Sequence, residues 1–577
     1  MSSRGHHPIT IERLEARLCC SAINLTALVG NQSAAAIAVN PAQPAQVVAV
    51  SNLDTGLGLE LSTSSDSGVT WQSQMIANSQ DTLPAAFGQA SLAFDAAGSL
   101  FLAYVSASQR QIIILQRSNG SDTFNVVGEL RGAVSNPVVA TGQGSVWVGF
   151  QEGNNVAAAG AKDAAGIVSS FQHQRTIPDS RGATFSDIAI APPSSGAAGA
   201  MGLVAVSMEQ TSPKAAEGIY LSTNATGGVS SSFGAPVRVT ALHFNPHQSL
   251  PAQPGLPIDA GAQLAFANPS DTTFGKRLYL VYEDTLPPAS SDGKSVGNLA
   301  DTDIFLRYLD PTPNKKWSQP IRVNSDDTSL ASQFQPKIST DHSPSDTTDP
   351  VAISWYDARS DLGTGGPTDT DGVPNTDVTY DTAVLTPAPN GMNILNLGTS
   401  ENISVTVSNE IDSHSAPGLG DSLAFFNNQL FPLWSDNSNS TGDNPNGFFR
   451  GLNSYTTPPI PVTALVSGAT TTFVAATPDA PGPGVPRLNF SNGQNQLSAV
   501  GTSAIQFTIT YANATDASAS VSAIGPDGPA TLQAGKKNNG KTTSYGLAGH
   551  LTPGTYVIEA TVNGIIEVLG NLAVRPQ

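Results

Sequence analysis

One couplet of strand-like segments recurs seven times between residues 37 and 436 of this 577-residue chain. Each couplet has a short apolar segment, a turn and a second alternating segment that ends in a polar tip or Met. The first segments begin at Ile37, Leu92, Val138, Ile188, Leu264, Ile338 and Leu423. The second segments end at Asn52, Ser106, Glu152, Met208, Asp284, Asp357 and Asp436. Repeats of roughly 45 to 85 residues with period-2 alternation are typical of radially arranged four-stranded sheets. The sequence therefore predicts an all-β fold, a β-propeller of six to seven blades, with seven preferred.

The repeat also predicts where function lies. In an up-and-down four-stranded blade, the loops after the second strand and the loops between blades open on the same side. The ends of the seven second segments are therefore expected to converge around one mouth of the central channel.

Composition excludes several classes of partner. The formal net charge is −19, the pI is about 4.6 and only 12% of residues are charged. Nucleic acids and anionic membranes bind clustered Lys and Arg, so neither is predicted as a partner. No apolar run approaches the ~20 residues that span a bilayer, so no transmembrane segment is predicted. Cations and neutral polymers remain open as ligands.

The chain divides into four parts by composition. Residues 1–30 form a leader, 31–456 the propeller, 457–463 a Pro-rich linker and 464–577 a β-sandwich. The last part has short alternating strands and frequent turns, as immunoglobulin-like sandwiches do, but lacks the Cys–Trp–Cys pattern of antibody domains. The strand-like residues 23–28 either supply the fourth strand of the seventh blade or are a floating terminus.

A short N-terminal motif bears on location. Residues 14–22 resemble the LEPR-x-LL motif found at the N-terminus of large surface and secreted proteins of certain bacteria, with Ala16 in place of Pro and Cys19-Cys20 in place of the apolar pair. These adjacent cysteines offer neither a disulfide framework nor a spaced pair of metal ligands. The resemblance and the acidic composition imply an extracellular or cell-envelope location.

The sharpest local motif is a turn that matches the pattern Ser-x-Asp-x-Gly-x-Thr-Trp. It consists of Ser64, Asp66, Gly68, Thr70 and Trp71. Asp66 is expected to bond nearby backbone and hydroxyl groups, Gly68 to adopt an unusual φ and Trp71 to pack between sheets. The motif lies between the third and fourth strands, so a structural role on the face opposite the converging tips is predicted.

This turn, with degenerate copies at residues 222–227 and 317–324, resembles the sialidase-like, Asp-box (BNR) propeller superfamily over residues 34–456. Active members hold a substrate carboxylate with three arginines and use an Asp as general acid with a Tyr–Glu nucleophile. The early arginine motif is missing here, and only Arg359 and Arg181 are placed on the converging face. The resemblance thus implies the fold, with sialic acid a poor substrate.

Seven residues are predicted to form a ligand-binding surface at the converging tips: Glu283, Asp284, Tyr356, Asp357, Arg359, Asp421 and Asp436. Paired acids at a channel mouth bind a hard cation or act on a glycosidic bond. The alternative is that each acid caps a turn or bonds backbone. Tyr356 is one residue out of the inward register and is predicted to be the exposed aromatic of this set.

An acidic insertion raises the question of a metal. Asp369, Asp371 and Asp377 lie among Gly, Pro and Thr in residues 361–381 and form either a calcium-binding loop or a solvated loop, since EF-hand spacing is lacking. No other cofactor is predicted.

Together these features favour an extracellular binding or scaffold module whose partner is a glycan or cell-surface polymer. The alternative is a glycoside hydrolase with a modified pocket, and a third hypothesis is a structural envelope component without any ligand.

Overall fold

In the computed structural model of this protein, every regular element among the described residues is a strand. The described residues are 23–25, 32–53, 57–191, 204–210, 217–244, 249–252, 258–268, 277–285, 301–310, 316–324, 331–343, 350–361, 363, 373–387, 395–397, 401–404, 408–409, 421–436 and 451–454, with nine strands between residues 487 and 575. No helix in these segments is long and apolar enough to cross a membrane.

Six antiparallel sheets use strands that follow one another along the chain, and each is called a blade. The short strand β1 is Ile23–Asn24. Blade 1 contains β2 Gln32–Val39, β3 Val47–Leu53, β4 Leu59–Ser64 and β5 Gln72–Ile76. Blade 2 contains β6 Ala86–Phe94, β7 Leu100–Ser106, β8 Gln111–Arg117 and β9 Asn125–Arg131. Blade 3 contains β10 Val134–Gly142, β11 Ser145–Glu152, β12 Asn155–Ala164, β13 Ile167–Val168 and β14 Arg175–Thr176. Blade 4 contains β15 Ala183–Ile190, β16 Val204–Gln210, β17 Gly218–Asn224 and β18 Val237–Ala241. Blade 5 contains β19 Gln263–Phe266, β20 Leu278–Thr285, β21 Thr302–Leu309 and β22 Ile321–Arg322. Blade 6 contains β23 Gln333–Thr340, β24 Val351–Asp357, β25 Asp377–Pro387, β26 Leu395–Leu397, β27 Glu401–Asn402 and β28 Ser408–Asn409.

The seventh sheet closes the ring. It contains β29 Asp421–Phe426, β30 Gln429–Asp436, β31 Gly451–Ser454 and, as its fourth strand, β1 from the other end of the chain. Ile23 pairs with Ser454. The first strand of each blade packs on the first strand of the next, and β29 packs on β2. The predicted all-β propeller of six to seven blades is confirmed, and β1 takes the closing position rather than floating.

Blade interfaces bury the second strands on both faces. All seven residues of β7 are buried, which explains why this segment reads as a near-continuous apolar run rather than a clean alternation. Trp147, Trp355 and Trp434 are among the largest fully buried side chains. The aromatic residues near the ends of the second strands are fully buried as well, and these are Tyr104, Phe150, Tyr282, Trp355 and Trp434.

The C-terminal strands fall into two groups. One antiparallel sheet has the order β32 Arg487–Phe490, β34 Ile505–Thr510, β38 Thr542–Leu547 and β37 Leu532–Asn538. The other group contains β33 Ser498–Val500, β35 Ser520–Gly525, β36 Gly528–Ala530, β39 Gly554–Val562 and β40 Ile565–Arg575, and β40 also pairs in parallel with β22. An immunoglobulin-like identity for this region stays a prediction.

Candidate functional site at the converging face

Strand register defines the face on which the predicted site residues lie. The start of each innermost strand pairs with the end of the second strand, as Ala86 does with Ser106 and Gln333 with Asp357. We call this end of the propeller the converging face. The turn between β4 and β5 lies at the other end, as predicted.

One position near the end of the second strand joins neighbouring blades. In blade 3, Gln151 accepts a hydrogen bond from the backbone N–H of Phe185 in blade 4, at 2.7 Å. At the equivalent position of blade 4, Glu209 accepts from the N–H of Ala260 at 2.7 Å. Glu283 of blade 5 accepts from the N–H of Gln335 in blade 6 at 2.5 Å. We call this the latch position, because its side chain holds the innermost edge of the next blade, where backbone donors would otherwise lack partners.

Glu283 and Asp284 are therefore buried rather than presented to solvent. Glu283 is 2% exposed, and burial is the largest cause that holds its pKa well above the usual range. Asp284 is 3% exposed and accepts hydrogen bonds from the backbone N–H and Nδ1 of His243, both at 2.8 Å. Both acids therefore behave as in the alternative interpretation of the sequence, in which an acid at a strand end bonds backbone or turn groups.

The prediction that Tyr356 is an exposed aromatic is wrong. Tyr356 occupies the latch position of blade 6 and is 1% exposed. Its hydroxyl donates to the carbonyl of Ser435 in blade 7 and accepts from the Ser435 N–H. Its ring stacks on Phe334 and meets the edge of Tyr380. The one-residue offset that suggested exposure instead directs this side chain into the interface with the next blade.

Asp357 and Arg359 belong to a charged network inside blade 6. Asp357 is fully buried and accepts hydrogen bonds from Trp355 Nε1 at 2.9 Å and from the backbone N–H of Arg359 at 2.9 Å. The Arg359 guanidinium forms ion pairs with Asp357 and Asp381. Its side chain is 23% exposed, so it is the part of this network that solvent reaches.

Asp421 lies at the junction of blades 6 and 7. Its Oδ2 accepts a hydrogen bond from the Tyr380 hydroxyl at 2.9 Å, and its Oδ1 is 3.5 Å from Lys337 Nζ. Burial raises its pKa to about 6 despite the opposing influence of Lys337 and Tyr380. Asp436 ends β30 and pairs with Gly451, and its side chain lies outside the described residues.

Two buried acids of this face were missed by the sequence reasoning. Asp187 accepts the backbone N–H groups of Ile188 and of Leu264 in blade 5, both at 2.8 Å, and burial raises its pKa to about 7. Burial and the charge of Asp259 raise the pKa of Glu209 to about 8. The sequence contains a signal for Asp187. This acid occupies the position of the inner strand at which blades 1 to 3 have Ala36, Ser91 and Val138.

The wall of the channel carries small side chains at one level. Two residues after the position of Asp187 in each innermost strand, six blades have Ala and blade 6 has Ser. These residues are Ala38, Ala93, Ala140, Ala189, Ala265, Ser339 and Ala424. Five of the seven keep intermediate exposure, and the other two are 9% exposed. Short side chains therefore line the innermost strands at this level.

The acidic insertion does not provide a metal cluster within the described residues. Asp377 is buried at the start of β25, and its N–H donates to Asp361 at 2.9 Å. Asp369 and Asp371 lie outside the described residues. No group of three or more His, Cys, Asp or Glu in the described segments is arranged to hold a metal ion. Calcium binding stays a prediction.

The turn after β4 has the local bonds that its sequence predicts. Asp66 accepts from Thr70 Oγ1 at 2.6 Å and from the Thr70 N–H at 2.8 Å, and these bonds lower its pKa to about 2. Gly68 has φ +86°. Trp71 is half-buried against the core between blades 1 and 7, and its Nε1 donates to the Gly68 carbonyl. The predicted burial of Trp71 between sheets is therefore only partial.

Comparison with known proteins gives fold-level likeness alone. No family model matches this sequence, and no curated protein matches it. An alpha-L-arabinanase from Penicillium chrysogenum is similar in structure, with 11% identity and a TM-score of 0.36 over 63% of this chain and 97% of that one. A polysaccharide lyase gives 8% identity and a TM-score of 0.37 over 78% and 94% of the two chains. An alpha-L-arabinofuranosidase from Lactobacillus brevis has 12% sequence identity and a TM-score of 0.31, over 55% of this chain and 95% of that one. Likeness this low carries no argument about activity.

Proposed function

We propose that this protein is an extracellular or envelope-located binding protein whose converging face holds a neutral glycan. The proposal is supported mainly by the burial of the acids on that face and by the hydrogen bonds that they accept. Glu283, Asp284, Asp357 and Asp421 are each at most 5% exposed and accept hydrogen bonds from protein donors. A glycosidase needs two carboxyl groups that reach the scissile bond.

Three donors of this part of the propeller keep partial exposure. The side chains of His243, Lys337 and Arg359 are 34%, 27% and 23% exposed, and each is held by a buried carboxylate. Donors fixed in this way bind sugar hydroxyls with little loss of side-chain freedom on binding. The net charge of −19 disfavours polyanionic glycans, so the ligand class is a neutral one.

The test is an array of neutral oligosaccharides, read with and without a calcium chelator. Lys337→Gln removes a partly exposed donor from the innermost strand of blade 6. Lys162→Gln is the control, because Lys162 is exposed at the opposite end of blade 3. We expect wild-type binding that Lys337→Gln weakens and Lys162→Gln does not. Absence of wild-type binding to every neutral glycan contradicts the proposal. Loss of binding on chelation identifies a glycan bridged by calcium.

Glycoside hydrolysis is the second candidate, and one observation favours it. Because the pKa of Asp421 is about 6, part of this carboxyl is protonated near neutral pH, which suits a general acid. Release of reducing sugar from a glycan that the protein binds, abolished by Asp421→Asn, favours this alternative. Sialoside cleavage is not expected, because the arginines that bind a sialic acid carboxylate are missing.

A further inference from the structure

An exposed apolar pair stands at the converging face of blades 1 and 2, apart from the acids of blades 4 to 7. Leu57 is 43% exposed and Phe87 is 46% exposed. The backbone N–H of Gly58 donates to the carbonyl of Ala86 at 3.1 Å, so the two side chains flank a hydrogen bond between the blades. The backbone segments that carry the two residues are thus adjacent at the converging face.

The backbone explains why Phe87 is exposed although it lies in an innermost strand. Ala86 pairs with Ser106 and Gly88 pairs with Val105, so Phe87 is an extra residue at a bulge. Gly88 has φ +142°, and a Cβ at this position would lie 2.8 Å from the Asn52 side chain. The strand is therefore held against blade 1 while Phe87 is turned outward.

Polar residues are exposed on the innermost strands of the next two blades. The innermost strands of blades 3 and 4 expose Asn136 and Thr184 near the same level, where blade 2 exposes Phe87. Gln89, two residues after Phe87, accepts the backbone N–H of Asn136 through Oε1, which leaves its amide NH₂ as a donor. An apolar ring beside amide groups matches a sugar, which has an apolar C–H face and hydroxyl edges.

We propose that Phe87, assisted by Leu57, is the stacking platform for one ring of a neutral glycan, with Gln89 and Asn136 binding its hydroxyl groups. This inference rests on the proposed function and assigns it a subsite that the acids do not provide. Two side chains are too small an apolar area for a stable protein interface, which buries roughly 1,200 Å² or more in total.

The test compares Phe87→Ala, Phe87→Trp and Val126→Ala. Val126 is the matched control, because it is 43% exposed in the outermost strand of the same blade. Binding of the best oligosaccharide from the neutral array is measured by calorimetry. We expect Phe87→Ala to weaken binding about tenfold, Phe87→Trp to bind at least as tightly with a change in its fluorescence, and Val126→Ala to bind as wild type.

The outcomes separate this inference from the proposed function. If wild type binds a glycan and Phe87→Ala binds it equally well, the platform is wrong while the function stands. If Val126→Ala weakens binding as much as Phe87→Ala, the effect is not local and the platform is wrong. If wild type binds no neutral glycan, both fail. Melting temperatures of all three variants are expected to match wild type, since each side chain is exposed.

Discussion

Blades 1 to 3 and blades 4 to 7 differ in the chemistry of the residue at the latch position. At the latch position the first group has Asn52, Val105 and Gln151, which are neutral. The second group has Glu209, Glu283, Tyr356 and Ser435. Gln151 and Glu209 make the same 2.7 Å bond to a backbone N–H of the next blade. An amide is therefore sufficient for the contact, and the carboxyl groups add a dependence on pH that the fold does not require.

The inner strands also combine neutral and ionisable contacts. Ser91 and Ser422 accept the backbone N–H of Val139 and Ile37 in the next blade, both at 3.1 Å. In blade 4 the same role belongs to Asp187. At these two positions, the carboxyl contacts between blades are those of Glu209, Glu283 and Asp187, all in blades 4 and 5. These contacts titrate, whereas the amide and hydroxyl contacts at the same positions of other blades do not.

The largest expected effect comes from Glu209→Gln. Its folded pKa of about 8 lies above the ordinary 4.5, so stability is full below pH 4.5 and is lost as the pH rises through 8. We expect the variant to match wild type at pH 4 and to exceed its free energy of unfolding by about 3 kcal/mol at pH 9. Urea denaturation at both pH values measures this.

Equal stability of wild type and Glu209→Gln at pH 9 would show that the carboxylate is solvated when ionised. It would also remove the titrating character assigned to the interface between blades 4 and 5. Glu129→Gln is the control, because Glu129 is exposed on β9 of blade 2.

The reciprocal substitution is Gln151→Glu, which puts a carboxylate at the latch position of blade 3. Because Gln151 is half-buried, we expect a smaller loss of about 2 kcal/mol at pH 8 and little change at pH 4. A comparison of denaturation midpoints at the two pH values checks the result. A loss that is equal at both would indicate a steric effect, since both forms of the side chain have the same shape.

The sequence predicted the ring but not the roles of its acids. Alternation and spacing identify each blade because the pattern repeats, and the turn at Asp66 is predictable because all its bonds are local. Whether Asp284 meets solvent or His243 depends on a residue 41 positions away in an adjoining loop. The prediction that Tyr356 is exposed was wrong for a related reason. The residue is covered by the neighbouring blade, and local alternation in the sequence carries no information about that contact.

Tyr380→Phe and Tyr104→Phe compare one hydroxyl in each half of the ring. The Tyr380 hydroxyl donates to Asp421, whereas the Tyr104 hydroxyl donates to the Pro84 carbonyl at 2.5 Å. Each variant is expected to lose about 1.5 kcal/mol of unfolding free energy near pH 7. Only Tyr380→Phe should lose more as the pH rises through 6, because ionised Asp421 then lacks this donor. Parallel pH profiles for the two variants would contradict the assignment.

The smallest expected effects come from Ser91→Ala and Ser422→Ala, which remove the neutral contacts of the inner strands. Each deletes one acceptor for a backbone N–H of the next blade, so each should cost about 1 kcal/mol at every pH. Ser422 joins blade 7 to blade 1, where β1 also closes the ring, and Ser91 joins two blades that are consecutive in the chain. A clearly larger loss of unfolding free energy in Ser422→Ala than in Ser91→Ala would mean that the interface between blades 7 and 1 is the weaker one. Blades 2 and 3 are consecutive in the chain, and this connection holds them together when the Ser91 contact is removed. Equal losses would mean that pairing of β1 with β31 closes the ring as firmly as a direct chain connection joins other blades. Thermal unfolding of the two variants, measured side by side, distinguishes these results.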